Sequence, residues 1–339
     1  MTASRRSRHE WRLFFGLSIG SALISAWFGY TQNDEDSPLH SALVGVVASL
    51  VIATPIMLLE LKGQRTLLRR MRRLPLLAYL GLKIAFYMVV ILGGLMLVRA
   101  LHISTNRAFD AAFGHAILFA IAMSVATNLV FEIGGLLGYG TLKNLLLGRY
   151  VHPRNEQRAF VLIDMKDSTG MAERLGPVKF HELLNDFFRD VSDAAIECGA
   201  EIHKYVGDEA ILTWRGTDAL ADGDCLRCPF AARELIKKHR GEYMAHYGAV
   251  PAFRAACHYG EIVTGEIGDV RREIAYVGDT LNVAARLLDA AKELGHDILA
   301  SEDLLAQTPP SAGVRVEKLP TLTVRGRAAA LPIAALESL

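Results

Sequence analysis

Four apolar stretches, at 13–30, 39–59, 76–98 and about 111–131, constrain this chain more than any other feature. Each is about as long as the roughly 20 helical residues that cross a bilayer core. Buried helices of soluble proteins rarely run so far without charges, so the pattern predicts four transmembrane helices. The first stretch follows a basic segment, RRSRHEWR, as the apolar core of a cleaved secretory leader does. It is long for that role and three more spans follow, so it reads as a retained span.

Basic residues orient the spans. Arg5, Arg6, Arg8 and Arg12 precede the first, and Lys62, Arg65, Arg69, Arg70, Arg72 and Arg73 lie between the second and third. The connection TQNDEDSP has no basic residue, and residues 99–110 have two. The basic stretches are expected inside and the two short loops outside. Four spans then leave both termini, and everything after residue 131, in the cytoplasm of a cell whose inner membrane holds the protein. Within or near the spans lie Lys83, His115 and Asn128, polar groups that are costly there. Lys83 is expected to snorkel to an interface, and His115 to lie close to one.

Charge divides the chain as hydropathy does. Residues 1–158 hold 17 Lys and Arg against 8 Asp and Glu, and residues 159–339 hold 20 against 28, so a net +1 hides halves of +9 and −8. An acidic second half argues against nucleic-acid binding, which needs a cationic face. Cys198, Cys225, Cys228 and Cys257 all fall in that half, as a reducing compartment allows. Cys225 and Cys228 form a lone C-x-x-C without the second pair that a zinc site needs.

The expected organisation is a membrane domain at 1–131, a joint at 132–155 and a catalytic domain at 156–339. In the joint, Gly134, Gly135, Gly138 and Gly140 loosen the chain, TLKNLLLGRYV offers an apolar helical stripe for a partner copy, and Pro153 ends it. Beyond it, AFVLIDM at 159–165 reads as a buried strand and residues 176–198 as an amphipathic helix. A hairpin follows at 201–215, then a helix across about 228–241. Residues 253–268 read as paired strands meeting at glycines, 279–294 as a helix, and the C-terminus as short strands. This order fits a ferredoxin-like α+β sheet with helices on one face.

Within that frame, Asp164 ends the first strand and precedes MKDSTG, a short polar turn entering a helix, whose free N–H groups suit a polyphosphate. Asp208 tips the hairpin in EIHKYVGDEAIL. The topology puts both aspartates at the same end of adjacent strands, and two converging carboxylates suit two divalent cations. On the helix at 279–294, Asn282 and Arg286 share a face, where an amide and a guanidinium can stabilise charge on a transferring phosphoryl group.

These segments resemble the catalytic domain of class III nucleotidyl cyclases. FVLIDMKDST, KYVGDEAI, HYGEIVTGEIG, YVGDTLNVAARL and VRG occur in the family's order and spacing from about 156 to 336. The resemblance implies an adenylate cyclase that makes 3′,5′-cyclic AMP and pyrophosphate from ATP. Asp164, Asp208 and the Met165 carbonyl would bind two Mg²⁺ or Mn²⁺ per active site, and Lys204 would read adenine. Asn282 would orient the ribose, Arg286 would stabilise the transition state, and Arg325, with Arg327 as a substitute, would touch the triphosphate. It also implies a homodimer whose sites take metals from one chain and the remaining contacts from the other.

One position departs from the family. Asp or Thr usually stands three residues before the glycine of VGDT to read the base with the lysine; here it is Ala275. Lys204 still points to ATP, with guanylate or dual specificity as the alternative. VGDEA echoes the Gly-Gly-Asp-Glu-Phe signature of diguanylate cyclases but lacks its first glycine and its Phe. A cyclase-like receptor that has lost catalysis is the non-enzymatic alternative, against which the retained aspartates, Asn282 and Arg286 argue.

Overall fold

A computed structural model describes residues 5–31, 37–62, 74–100, 111–216, 220, 223–270, 272–308, 310, 313–323 and 330–338. The chain forms two compact units, Met1–Leu137 and Gly138–Leu339.

The first unit contains four long helices: α1 (Arg5–Thr31), α2 (Pro38–Lys62), α3 (Leu76–Ala100) and α4 (Ala111–Leu137). Each holds a window long and apolar enough to cross a membrane: Leu13–Thr31, Pro38–Glu60, Ala78–Val98 and Gly114–Gly135. The first two helices approach backbone to backbone at small residues. A Cβ on Gly29 would lie 2.3 Å from the Ser41 carbonyl oxygen, and one on Gly45 2.3 Å from that of Ser25. Small residues permit such close helix contacts where lipid gives no hydrophobic drive to pack. Arg65, Arg69, Arg70, Arg72 and Arg73 lie outside the described residues, as do the side chains of Arg5, Arg6, Arg8, Arg12 and Lys62.

Lys83 does not snorkel. Its side chain is fully buried, between Glu60 of α2 at 2.8 Å and Glu132 of α4 at 2.9 Å. Two carboxylates satisfy the ammonium internally, which removes the reason to reach for an interface.

The second unit begins with Gly138, whose φ of 84° stops α4, and a short helix α5 (Tyr139–Leu146). That helix ends before Gly148, at φ 59°, and not at Pro153 as expected. The remaining elements are β1 (Arg154–Met165), α6 (Ser168–Leu175), α7 (Pro177–Glu197), β2 (Glu201–Val206), β3 (Glu209–Arg215), α8 (Asp224–Lys238), α9 (Arg240–Tyr247), β4 (Phe253–Ile267), β5 (Glu273–Val277), α10 (Asp279–Leu294), β6 (Ile298–Ser301), α11 (Glu302–Gln307), β7 (Val314–Leu322) and β8 (Leu331–Ser338).

The strands form one mixed sheet in the order β2-β3-β1-β4-β6-β8-β7, with β5 paired to β4. The continuous apolar run of β1 has a consequence missed in the expected topology: both faces are covered. Val161, Ile163 and Met165 face one core with Leu183 and Phe187 of α7. Phe160 and Leu162 face another with Val283, Ala284 and Leu287 of α10. Helices thus lie on both faces. The four cysteines form no disulfide and are buried in the first core.

Residues 253–267 form one strand, not two meeting at glycines. Its register with β1 runs unbroken through Gly260. That glycine serves packing: a Cβ there would lie 2.7 Å from Thr280 Oγ1 at the start of α10.

Candidate active site

The carboxylate half of the site follows from strand register. Pairing of β1 with β3 sets Asp164 opposite Glu209, so Asp208, one residue earlier, lies beside the end of β1. Gly207, at φ 62°, makes the tight turn, and the Met165 N–H donates to the Asp208 carbonyl at 3.4 Å. Asp164 and Asp208 meet side chain to side chain. Burial, then the charge of Asp208, pushes the Asp164 carboxyl up to about 6, against the pull of Arg254 and Lys292. Glu209 is pushed up to about 7 by burial and then by Asp164, Asp208 and Asp289.

Crowding that raises carboxyl pKa values is relieved by bound cations. Among the described residues no group of three or more His, Cys, Asp or Glu side chains forms a metal cage. The hard oxygens that meet here are those of the two aspartate carboxylates. Hard oxygen donors that leave positions open fit Mg²⁺ or Mn²⁺ with a phosphate ligand.

Two cations flank these carboxylates. Arg254 is the direct β4 neighbour of Asp164. Its Nε is buried and makes no hydrogen bond among the described residues, which is rare for a buried donor. Sequence reading passed over it, although an arginine inside FRAAC interrupts an apolar strand much as Arg286 interrupts its helix. Lys292, on the last turn of α10, is the other.

The turn after β1 is shaped by Asp167, the one non-glycine residue with positive φ among those described (53°). Its carboxylate folds over Gly170, where a Cβ would lie 2.3 Å from Oδ1, and accepts from Arg174 at 3.2 Å. Asp167 is thereby held at its own helix and caps no N–H group there. Lys166 pairs with Asp297, which Arg233 also meets at 3.2 Å.

The remaining residues lie on β2, β5 and α10. Asn282 and Arg286 share the exposed face of α10, while Val283, Ala284 and Leu287 bury the opposite face. Their partners are local: Asn282 Nδ2 donates to the Gly278 carbonyl at 3.4 Å, and Arg286 meets Asp289 at 3.3 Å. Lys204 of β2 lies 3.9 Å from Glu273 of β5. Ala275 is two residues along β5, opposite Gly265. Behind it, the Tyr276 ring packs between His203, at 4.6 Å, and the buried Arg158 guanidinium, at 4.9 Å. Burial, then Lys204 and Arg158, push the His203 imidazole down to about 4.

Asp164, Met165 and Asp208 are thus brought together, as the sequence led one to expect. Among the described residues no hydrogen bond or ion pair joins Lys204, Asn282 or Arg286 to that acidic pair. Arg325 and Arg327 lie outside the described residues.

The family of the adenylate and guanylate cyclase catalytic domain matches residues 151–330. The chain is a class III nucleotidyl cyclase. Relatives extend this likeness beyond the catalytic half. Adenylate cyclase 2 of Rhizobium meliloti (strain 1021) is 34% identical over 324 residues, covering 94% of this cyclase and 87% of that protein. Adenylate cyclase 1 of the same organism is 29% identical over 175 residues, 50% of this chain and 26% of that one. Among solved structures, a bacterial light-regulated adenylyl cyclase aligns with a TM-score of 0.54 at 16% identity, over 68% of this chain and 66% of that one. That likeness is one of fold.

Proposed function

We propose that this cyclase is a membrane-anchored adenylate cyclase, converting ATP to 3′,5′-cyclic AMP and pyrophosphate at sites shared between two copies of the chain. The observation that carries the reading is the contact of the Asp164 and Asp208 carboxyls, with Arg254 across the strand. Residues 1–131 would anchor, 132–155 would connect, and 156–339 would catalyse. Both termini would be cytoplasmic.

In the reaction the ribose 3′-oxygen attacks the α-phosphorus, the 3′-hydroxyl proton is lost, and the bond to the β-phosphate oxygen breaks to release pyrophosphate. Asp164, Asp208 and the Met165 carbonyl would hold two Mg²⁺ or Mn²⁺ ions, whose chemistry is to acidify the 3′-hydroxyl and neutralise the phosphates. Arg254 supplies a fixed cation beside them, and its orphaned Nε suits a phosphate oxygen. Asn282 orients the ribose, and Arg286 meets charge developing on the α-phosphate.

Exposure supports sharing. Arg286 is 58% exposed and Asn282 is also at the surface, each with a local partner that substrate could replace. A two-fold pairing would lay them over the acidic pair of the other copy.

Lys204 favours adenine, whose ring nitrogens accept. Guanylate activity is the second reading, because Ala275 brings no polar atom to the base. Membranes containing the full chain should form cyclic AMP from Mn²⁺-ATP, faster than cyclic GMP from Mn²⁺-GTP. Absence of both products would favour a receptor that has lost catalysis.

A further inference from the structure

Base reading asks that Lys204 on β2 and position 275 on β5 keep a fixed relation, yet these strands are not neighbours in the sheet. Among the described residues β2 pairs with β3 alone and β5 with β4 alone, and β3, β1 and β4 stand between them. No backbone ladder joins the two strands, so side chains that cross the sheet face set their relation. The Lys204–Glu273 pair is one such contact, but an exposed pair holds little.

A stack of rings lies beside that pair. The Tyr276 ring, next in sequence to Ala275, packs with His203, next to Lys204, at 4.6 Å. Phe160 of β1 meets the same ring edge-on at 5.2 Å, and the Arg158 guanidinium lies over it at 4.9 Å. His203 is also the extra residue of a bulge: Ile202 pairs with Leu212 and Lys204 with Ile211, which leaves His203 unpaired in the ladder. A bulge bends its strand and re-aims the side chains around it. Where the His203 ring settles therefore bears on where Lys204 points.

Arg158 fixes the stack from inside. Its side chain is fully buried, and hydrogen bonds run to Glu156 at 2.9 Å, Glu201 at 3.1 Å, Thr213 at 3.4 Å and Tyr150 at 2.9 Å. Those partners come from β1, β2, β3 and the segment leading into β1. A planar fork held along its edge by four groups cannot turn, and its face is what it offers the Tyr276 ring. The pull of a desolvated cation on that ring keeps Tyr276 in place. A buried ion cluster adds little stability over apolar packing of the same volume, so this one is better explained by what it aims.

We propose that Arg158, Tyr276 and His203 form a positioning device for base recognition. The guanidinium holds the Tyr276 ring, the ring holds His203 in its bulge, and the bulge aims Lys204 beside position 275. The inference rests on the cyclase reading and adds to it the residues that set the choice of purine. The side chains assigned to phosphate and ribose lie elsewhere, at the end of β1, on the β2–β3 turn, on β4 and on α10. Loss of the stack should thus weaken base binding and spare the chemical step.

Steady-state rates of the full-length protein in membranes, with Mn²⁺-ATP and with Mn²⁺-GTP, test this. Tyr276→Leu removes the ring and keeps an apolar side chain. It should raise KM for ATP about fivefold, change kcat by less than about twofold, and narrow the ATP over GTP ratio of kcat/KM by about fivefold, the scale of one ring contact. Tyr276→Phe keeps the ring and should behave as wild type. Arg158→Lys keeps the charge without the planar face and should shift KM and the ratio in the same direction as Tyr276→Leu. Wild-type KM and ratio in Tyr276→Leu, or a loss of kcat at unchanged KM, overturns the proposal, and so does a Tyr276→Phe as impaired as Tyr276→Leu. An active Arg158→Lys with the wild-type ratio overturns the part given to Arg158. Should Tyr276→Leu fail to accumulate in membranes, His203→Leu decides: it takes the other ring from the stack and should narrow the ratio likewise, and an unchanged ratio contradicts the proposal. A wild type that forms neither cyclic nucleotide would overturn the cyclase reading, and this inference with it.

Discussion

Lys204 Nζ and Glu273 Oε1 lie 3.9 Å apart, the ammonium from β2 and the carboxylate from β5. Residues two apart on a strand share a face, so Glu273 lies on the same side of β5 as Ala275. The family's side-chain acceptor is missing at 275, and a carboxylate two residues earlier on the strand meets the lysine instead. Both groups are nearly half exposed, which limits the pair to about 1 kcal/mol.

Glu273→Gln should therefore narrow the preference for ATP over GTP by about fivefold, since about 1 kcal/mol is a factor of that size. Ala275→Thr, which adds a hydroxyl on the face of β5 that carries Glu273, should widen it. Steady-state kcat/KM values for both nucleotides check this; a ratio indifferent to both substitutions removes β5 from base reading.

Arg254 leads to a second expectation. A charge-assisted contact to phosphate that forms beside reacting groups contributes about 2–3 kcal/mol, so Arg254→Met should lower kcat/KM for ATP roughly a hundredfold. Taking a cation away from Asp164 should leave Mn²⁺ binding to the nucleotide-free protein unchanged or tighter. Titration of Mn²⁺ without nucleotide separates the two. Weakened Mn²⁺ binding would mean that Arg254 only supports the fold around Asp164.

His203 makes stability depend on pH. Its imidazole titrates at about 4 when folded, against about 6.5 unfolded. Above 6.5 it is neutral in both states and contributes no pH dependence. As pH falls from 6.5 towards 4, the unfolded chain binds a proton that the native state refuses, and stability is lost. His203→Phe keeps a ring against Tyr276 and removes this loss. Protease-resistance midpoints at pH 7 and 5 should therefore fall further in wild type than in the variant. Equal falls would mean that His203 is protonated in place.

Much of this architecture is local enough to read from sequence. Residues 177–197 and 279–294 carry strong helical periodicity, and the Gly207 turn announces the β2–β3 hairpin. The meeting of Asp164 with Asp208 was legible because adjacent antiparallel strands fix register once the hairpin is placed. Other features depend on partners that no local pattern announces. Lys83 looks like a snorkelling lysine until Glu60 and Glu132, 23 and 49 residues away in sequence, arrive on neighbouring helices. Gly260 looks like a strand end, yet what it accommodates is Thr280 on the helix across the sheet face. Arg254 gains meaning only when β4 is known to pair with β1. Arg158, buried with Glu156, Glu201, Thr213 and Tyr150, would be taken for a surface charge in any window of its own sequence.

The most direct test of a shared active site is complementation between inactive chains. Asp208→Ala should abolish metal binding and Asn282→Ala ribose orientation, leaving each homodimer nearly inactive. Coexpressed in equal amounts, random pairing makes roughly half of the dimers mixed, each with one site that inherits neither defect, so roughly a quarter of wild-type activity should return. Asp164→Ala with Asp208→Ala, two changes in the same half of the site, should return none. Recovery in the same-side pair equal to that in the opposite-side pair, or none in either while mixed dimers demonstrably form, would contradict a site built from two chains.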